Sequence, residues 1–243
     1  MRVFSKILYI LFIIAFVVSV GFNIILGVSS SNIKNNVQTR MQLYYDSLGK
    51  LSSAEHIRVL DKKPYGSATD GQYTIDDIAC SLDKESNKYS CKMISKLFSS
   101  DAKLIRTSYF PGDGFKYSLE GETKTKSIYN VDLSTMLTAR TSGIGNSYLP
   151  LLTYTSQSME QYGSKYDCNV AFNFNSFSIT KEIIYSDKNR DKDSEIKLYF
   201  DSNNNITKLV DEKAKSTIEV SYDKTDLSFP QNFNGYALTG EGN

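Results

Sequence analysis

The feature that most constrains this chain is the run of residues 166–230, where apolar and polar side chains alternate through one short segment after another. Val170, Phe172 and Phe174 alternate with Ala171, Asn173 and Asn175. Ile196, Leu198 and Phe200 alternate with Lys197, Tyr199 and Asp201, and Ile218, Val220 and Tyr222 with Thr217, Glu219 and Ser221. Successive side chains of a strand point to opposite faces, so this period of two predicts strands with one buried and one wet face. Polar clusters at 187–193 and 202–205 mark turns. One-sided strands joined by short turns make an antiparallel sheet, whose apolar face another part of the chain has to cover.

A second strand group is predicted over residues 54–130, with strands at 56–60, 73–82 and 89–94 and a hairpin of 104–110 with 115–120. Pro111-Gly112-Asp113-Gly114 is the hairpin turn. A phosphate-binding loop needs a helix after its glycines, and here a strand follows. Cys80 and Cys91 fall at facing ends of one strand pair, which predicts a cross-hairpin disulfide in an oxidising compartment, against the alternative of two free thiols. Cys168 shares strand parity with Val170 and Phe172 and is expected in the core. Between the strand groups the alternation stops. Leu133, Met136 and Leu137 predict a short helix before Gly143, Leu149 and Leu151 flank Pro150 in an apolar cluster, and 155–162 predicts another short helix. This insert is positioned to lie across the open sheet face.

The amino terminus carries Arg2 and Lys6, then an uncharged run, residues 7–28, with Ser19 and Asn23 as its clearly polar interruptions. At about 1.5 Å per residue such a helix spans a hydrocarbon core of about 30 Å. A cleaved secretory signal is the competing reading, with small residues at Gly27-Val28-Ser29. Cleaved signals have apolar cores of about 7–15 residues, so the length favours an uncleaved anchor. Basic residues ahead of the run keep the tail inside and put the rest outside the cytoplasm. The expected division is a membrane or signal segment at 1–30 and one domain at 31–243, single-pass at the cell membrane or secreted if cut. A helix is predicted from Ser31 or Asn32 to Lys50, with Ile33, Val37, Met41, Tyr44 and Leu48 as its sheet-facing stripe and Gly49 at its end.

Charge and motif content exclude several functions. With 28 Lys+Arg against 27 Asp+Glu there is no basic field for nucleic acid. The single histidine, His56, sits in a predicted strand, and neither HExxH nor G-x-S-x-G occurs. Asp76 and Asp77 are adjacent on a strand and so point to opposite faces, which is no carboxylate dyad. No catalytic residue, metal site or cofactor is expected.

An amino-terminal helix, a strand meander, a helical insert and a second strand series together resemble the LolA/LolB and LprG/LppX half-barrel superfamily. The local likeness lies in Lys197-Leu-Tyr-Phe-Asp201, Ile206-Thr-Lys-Leu-Val210, the run from Ser216 through Tyr222-Asp223 to Asp226, and Phe229-Pro230. The resemblance implies an α+β fold in which helices cover the concave face of a curved antiparallel sheet. It also implies a bacterial extracytoplasmic module that holds acyl chains in that hollow. The candidate walls are Val170, Phe172, Phe174, Ile196, Leu198, Phe200, Ile218 and Val220 on the sheet, with Leu133, Met136, Leu149 and Leu151 on the cover. The same residues suit a closed core, because pockets and cores are apolar for one reason. The other reading is a surface-tethered interaction or sensing domain without a small ligand.

Overall fold

The computed structural model describes residues 2–65, 71–86, 88–98, 102–129, 164–173, 177–187, 195–212, 214–225 and 227–239. Helices α1 (Arg2–Asn35) and α2 (Val37–Ser53) precede β1 (His56–Pro64), β2 (Tyr73–Asp83), β3 (Lys88–Phe98), β4 (Ala102–Phe110), β5 (Phe115–Glu120) and β6 (Thr123–Ile128). The predicted insert helices, with Leu133, Met136, Leu149 and Leu151, lie outside the described residues, as does Phe174. Then come β7 (Ser164–Asn173), β8 (Ser178–Asp187), β9 (Glu195–Phe200), β10 (Ile206–Asp211), β11 (Ser216–Ser221) and β12 (Ala237–Leu238). These strands join one 12-stranded sheet in the order β12-β6-β5-β4-β3-β2-β1-β11-β10-β9-β8-β7. Among the described residues, only the β12–β6 pair is parallel. The two strand groups fuse where β1 pairs with β11, Val59 opposite Val220. Right-handed strand twist curls a sheet this wide, and the expected α+β half-barrel layout is the one observed.

Register turns the alternation into rows on one face. Cys168, Ile183, Leu198, Leu209 and Ile218 stand opposite one another from β7 to β11. Val220, Val59, Ile78 and Met93 form the next row toward β3. All are buried in one cluster with Ile33 of α1 and Leu43, Tyr44 and Leu51 of α2. Each such side chain contributes about 1.5–3 kcal/mol relative to exposure, so the two helices are the sheet's natural lid. Cys168 is in this core, as its parity predicts, and Cys80 is disulfide-bonded to Cys91 opposite it.

Local chemistry sets the turns. Gly112 (φ 88°) and Gly114 (φ 86°) take the left-handed conformations that a Cβ disfavours, as a turn requires. Between them Asp113 accepts hydrogen bonds from the Phe115 amide (3.0 Å) and the Tyr117 hydroxyl (2.8 Å).

The helical region differs from expectation. No new helix starts at Ser31 or Asn32. Instead α1 runs through to Asn35, and the break falls at Asn36, whose extended backbone (φ −115°, ψ 109°) caps α2 by accepting from the Thr39 amide at 3.3 Å. Gly49 is passed within α2, which ends at Ser53. Starting at Val37 shifts the buried face, which is Arg40, Leu43, Tyr44, Ser47 and Leu51, while Val37 and Met41 are half-buried. Two polar residues on that face hid it from a hydrophobic count. Arg40 is 1% exposed and donates to the carbonyls of Ile33 (2.9 Å) and Lys34 (2.6 Å), two of the carbonyls that α1 leaves unpaired at its end.

The opposite face of the sheet carries a second cover that sequence reading missed. After β11 the chain crosses back over β3–β6, where Phe233 stacks on Tyr117 (4.0 Å between centroids) and Phe229 lies against Tyr109. Lys92 donates to the Ser228 carbonyl (3.3 Å), and β12 then closes onto β6.

Candidate functional site

The predicted wall residues that are described come together. Val170, Ile196, Leu198, Phe200, Ile218 and Val220 are all buried, and Val170, Leu198, Phe200, Ile218 and Val220 belong to the cluster beneath α1 and α2. Phe172 is half-buried at the end of β7, edge-on to Phe22 of α1 with ring centroids 5.3 Å apart. The sheet face is therefore apolar where the alternation placed it.

Two polar islands interrupt that face, and neither was read from the sequence. The first is a row set by register, in which Ile218 faces Asp61, Asp61 faces Asp76, Asp76 faces Ser95 and Ser95 faces Arg106. Lys63 bridges Asp61 (3.4 Å) and Asp76 (3.1 Å). Burial works against the Lys63 charge, but the hydrogen bond to Asp76 and the two carboxylate charges outweigh it and raise its pKa. Farther along the row, Ser95 Oγ and Arg106 Nε are buried without a hydrogen-bond partner among the described residues. A buried orphan donor costs about 1–3 kcal/mol, so these two atoms call for an acceptor. The signal that could have found them is spacing: Asp76 is two residues before Ile78 and Ser95 two after Met93, on the buried parity of their strands.

The second island lies at the elbow between α1 and α2. An open cavity of about 460 Å³ is lined there by Ser29, Asn32, Gln38, Thr39, Gln42, Lys181 and Asn204, with Ile33 and Leu43 bringing the buried cluster to its wall. Lys181 stands in register between Val170 and Phe200 on the covered face. Desolvation there lowers its pKa, and it donates to the Asn204 side chain. Asn204 is held in the left-handed conformation (φ 64°) by a turn built on Asp201, which accepts from the amides of Asn203 and Asn205 at 2.8 Å each. The helix is pinned to this turn: Asn204 donates to Asp46 (3.2 Å), and Ser47 accepts from the Ile206 amide (2.9 Å).

The remaining sequence candidates have structural places. His56 hydrogen-bonds Ser81 across β1–β2 (3.2 Å). Asp77 lies on the outer face in a two-point pair with Arg58 (2.9 and 2.8 Å), while Asp76 faces inward. The Cys168 thiol is pushed up to about 11, mainly by burial, which keeps it protonated and unreactive.

α1 links this face to the amino terminus. Its residues 7–20 are apolar on nearly every side and exposed, and the helix is long and apolar enough to cross a membrane by length and composition. Farther along, Ser30 donates to the Cys168 carbonyl of β7, the last strand in the sheet order, and Lys34 pairs with Asp167 at 3.1 Å.

No protein-family profile and no curated protein matches the chain. Among solved structures it is similar to the crystal structure of LprF from Mycobacterium bovis, with 10% identity and a TM-score of 0.43, covering 80% of this chain and 97% of that one. It is also similar to the Mycobacterium tuberculosis lipoprotein LppX, with 9% identity, a TM-score of 0.32, and coverage of 76% and 93%. No function follows from likenesses at this level.

Proposed function

We propose that this chain is a membrane-anchored, extracytoplasmic binding module that holds a lipid or another hydrophobic ligand between its curved sheet and the helical cover. The observation that carries the reading is the makeup of the covered face. Apolar rows run along it from β7 to β11 and from β11 to β3, and beside them Ser95 Oγ and Arg106 Nε are buried without partners among the described residues. In a core that only stabilises a fold such orphan donors are uncommon. An amphiphile that displaces part of the helical cover would satisfy both parts, with its chain along the rows and an acceptor-bearing head at Arg106 and Ser95. In this reading α1 is the single membrane span and residues 31–243 are the module, with Val170, Leu198, Phe200, Ile218 and Val220 as wall. Leu133, Met136, Leu149, Leu151, Phe172, Phe174 and Ile196 complete the proposed lining.

The test is native mass spectrometry of the full chain extracted in mild detergent, followed by uptake of a fluorescent fatty acid after delipidation. A lipid-sized adduct and saturable uptake are expected. Arg106→Gln should weaken uptake about tenfold or more, since a hydrogen bond from a charged group contributes about 1.5–3 kcal/mol. No adduct and no uptake would end the proposal.

A further inference from the structure

Three contacts fix how β7 runs against α1. Phe22 meets Phe172, Ser30 meets Cys168, and Lys34 meets Asp167. Phe22 to Lys34 is a rise of about 18 Å along a helix, and Asp167 to Phe172 is about 17 Å along a strand. The two distances agree, so β7 lies antiparallel to α1, and the β7–β8 turn points back toward the exposed apolar half of that helix. The described residue of that turn is Phe177, which is 82% exposed and takes a left-handed φ of 47°. A bulky side chain rarely adopts that conformation. Its ring lies 6.2 Å from that of Phe172.

Depth follows from helix rise. A span of about 30 Å beginning at Ile7 ends near Leu26, which puts Phe22 about 6 Å inside the outer hydrocarbon boundary. Helix tilt brings that level closer to the boundary. Phe172 is level with Phe22, and Phe177 is beside it. An exposed aromatic at that depth has lipid around it. We propose that the end of the β7–β8 hairpin is a second membrane contact, with Phe172 and Phe177 resting at the headgroup–acyl boundary of the outer leaflet. The proposal rests on α1 being a membrane span. Its consequence is orientation: a helix alone lets a domain swing, whereas a helix plus an inserted hairpin end fixes which side of the sheet faces the bilayer.

The chain has no tryptophan, so Phe177→Trp and Phe12→Trp each create a single indole fluorophore. Both side chains are exposed, so neither substitution disturbs a packed core. Each full-length variant is placed in phosphatidylcholine vesicles carrying bromines either near the headgroup or near the chain end. The indole of Phe12→Trp, about 7 Å inside the inner boundary, should be quenched by both sets of bromines. The indole of Phe177→Trp should emit to the blue of a water-exposed indole and be quenched about twofold more by shallow than by deep bromines. If the Phe12→Trp variant is quenched and the Phe177→Trp variant is not, the hairpin contact is overturned while the membrane span stands. A blue-shifted but unquenched Phe177→Trp variant overturns the contact equally and points to a second copy of the chain. If neither variant is quenched, both the span and the contact fall.

Discussion

Arg40→Leu tests whether the elbow between the helices is held by one buried cation. α1 stops at Asn35, so its last carbonyls have no helical partner, and Arg40 supplies donors to two of them from within α2. A hydrogen bond from a charged group contributes about 1.5–3 kcal/mol, and two such bonds are at stake. Against this stands the cost of keeping a guanidinium almost fully buried, which leucine removes. The orphaned carbonyls outweigh that relief, and a net loss of about 3 kcal/mol is expected. For a chain of this size that lowers the melting temperature by about 6–12 °C. The assay is thermal unfolding of the full chain in detergent micelles, followed by near-ultraviolet circular dichroism of the tyrosines. Hydrogen exchange adds a local readout: amides of β7 should exchange faster, because Ser30 and Lys34 reach that strand from the turn Arg40 secures. Arg40→Lys keeps the charge but offers a single donor point, so it should recover part of the loss. A leucine variant that melts within about 1 °C of the wild type, with β7 exchange unchanged, would refute the capping role.

Replacing Cys80 and Cys91 with alanine together should cost about 3 kcal/mol, the loop-closure value for a sequence separation of 11, read by urea denaturation. An unchanged midpoint would mean the β2–β3 pairing already restricts the unfolded chain. Cys168 should react with iodoacetamide at pH 8 about a hundredfold more slowly in the folded than in the unfolded chain, because folding raises its pKa from 9.0 to about 11. The sign for stability follows: the contribution is intact below pH 9, where neither state ionises, and is lost as the pH rises through 11. Wild type should therefore lose more stability than Cys168→Ala across that window, and parallel curves would contradict the burial of the thiol.

The sheet was legible because strand periodicity is a local property. Val170, Ile196 to Phe200 and Ile218 to Val220 each announce their face within a few residues, and the Gly112–Gly114 turn announces a hairpin. What joins the two strand groups is not local: β1 and β11 meet across the chain, and each reads as an ordinary strand. The helix boundary at Asn36 was missed because Ser31 and Asn32 are equally good caps on paper, and only the docking of α1 on β7 carries the helix past them. The buried face of α2 was misread because Arg40 and Ser47 contribute through hydrogen bonds to backbone rather than through apolarity. Ser95 and Arg106 failed for the same reason, since a polar residue on an inward parity looks like noise until the register aligns it with others.

The elbow cavity separates where a ligand would sit from how it would enter. With α1 as the proposed membrane span and its hydrocarbon boundary near Leu26, Ser29 would stand about 4–5 Å above that boundary, within the headgroup layer of about 6 Å. On that proposal the Ser29 side of the cavity would lie at the level of lipid heads, while its wall residues Ile33 and Leu43 belong to the buried cluster. A chain drawn from the leaflet would pass this mouth and come to rest on the rows beyond it. A bulky group at the mouth should then slow passage without altering the seat. Ser29→Trp is accordingly expected to lower the exchange rate of a bound fluorescent fatty acid about tenfold, with the equilibrium affinity within about twofold of wild type. Stopped-flow displacement measures the first and titration the second. Equal loss in both would place the introduced indole in the binding seat, and no change in either would mean that ligands reach the sheet by another route.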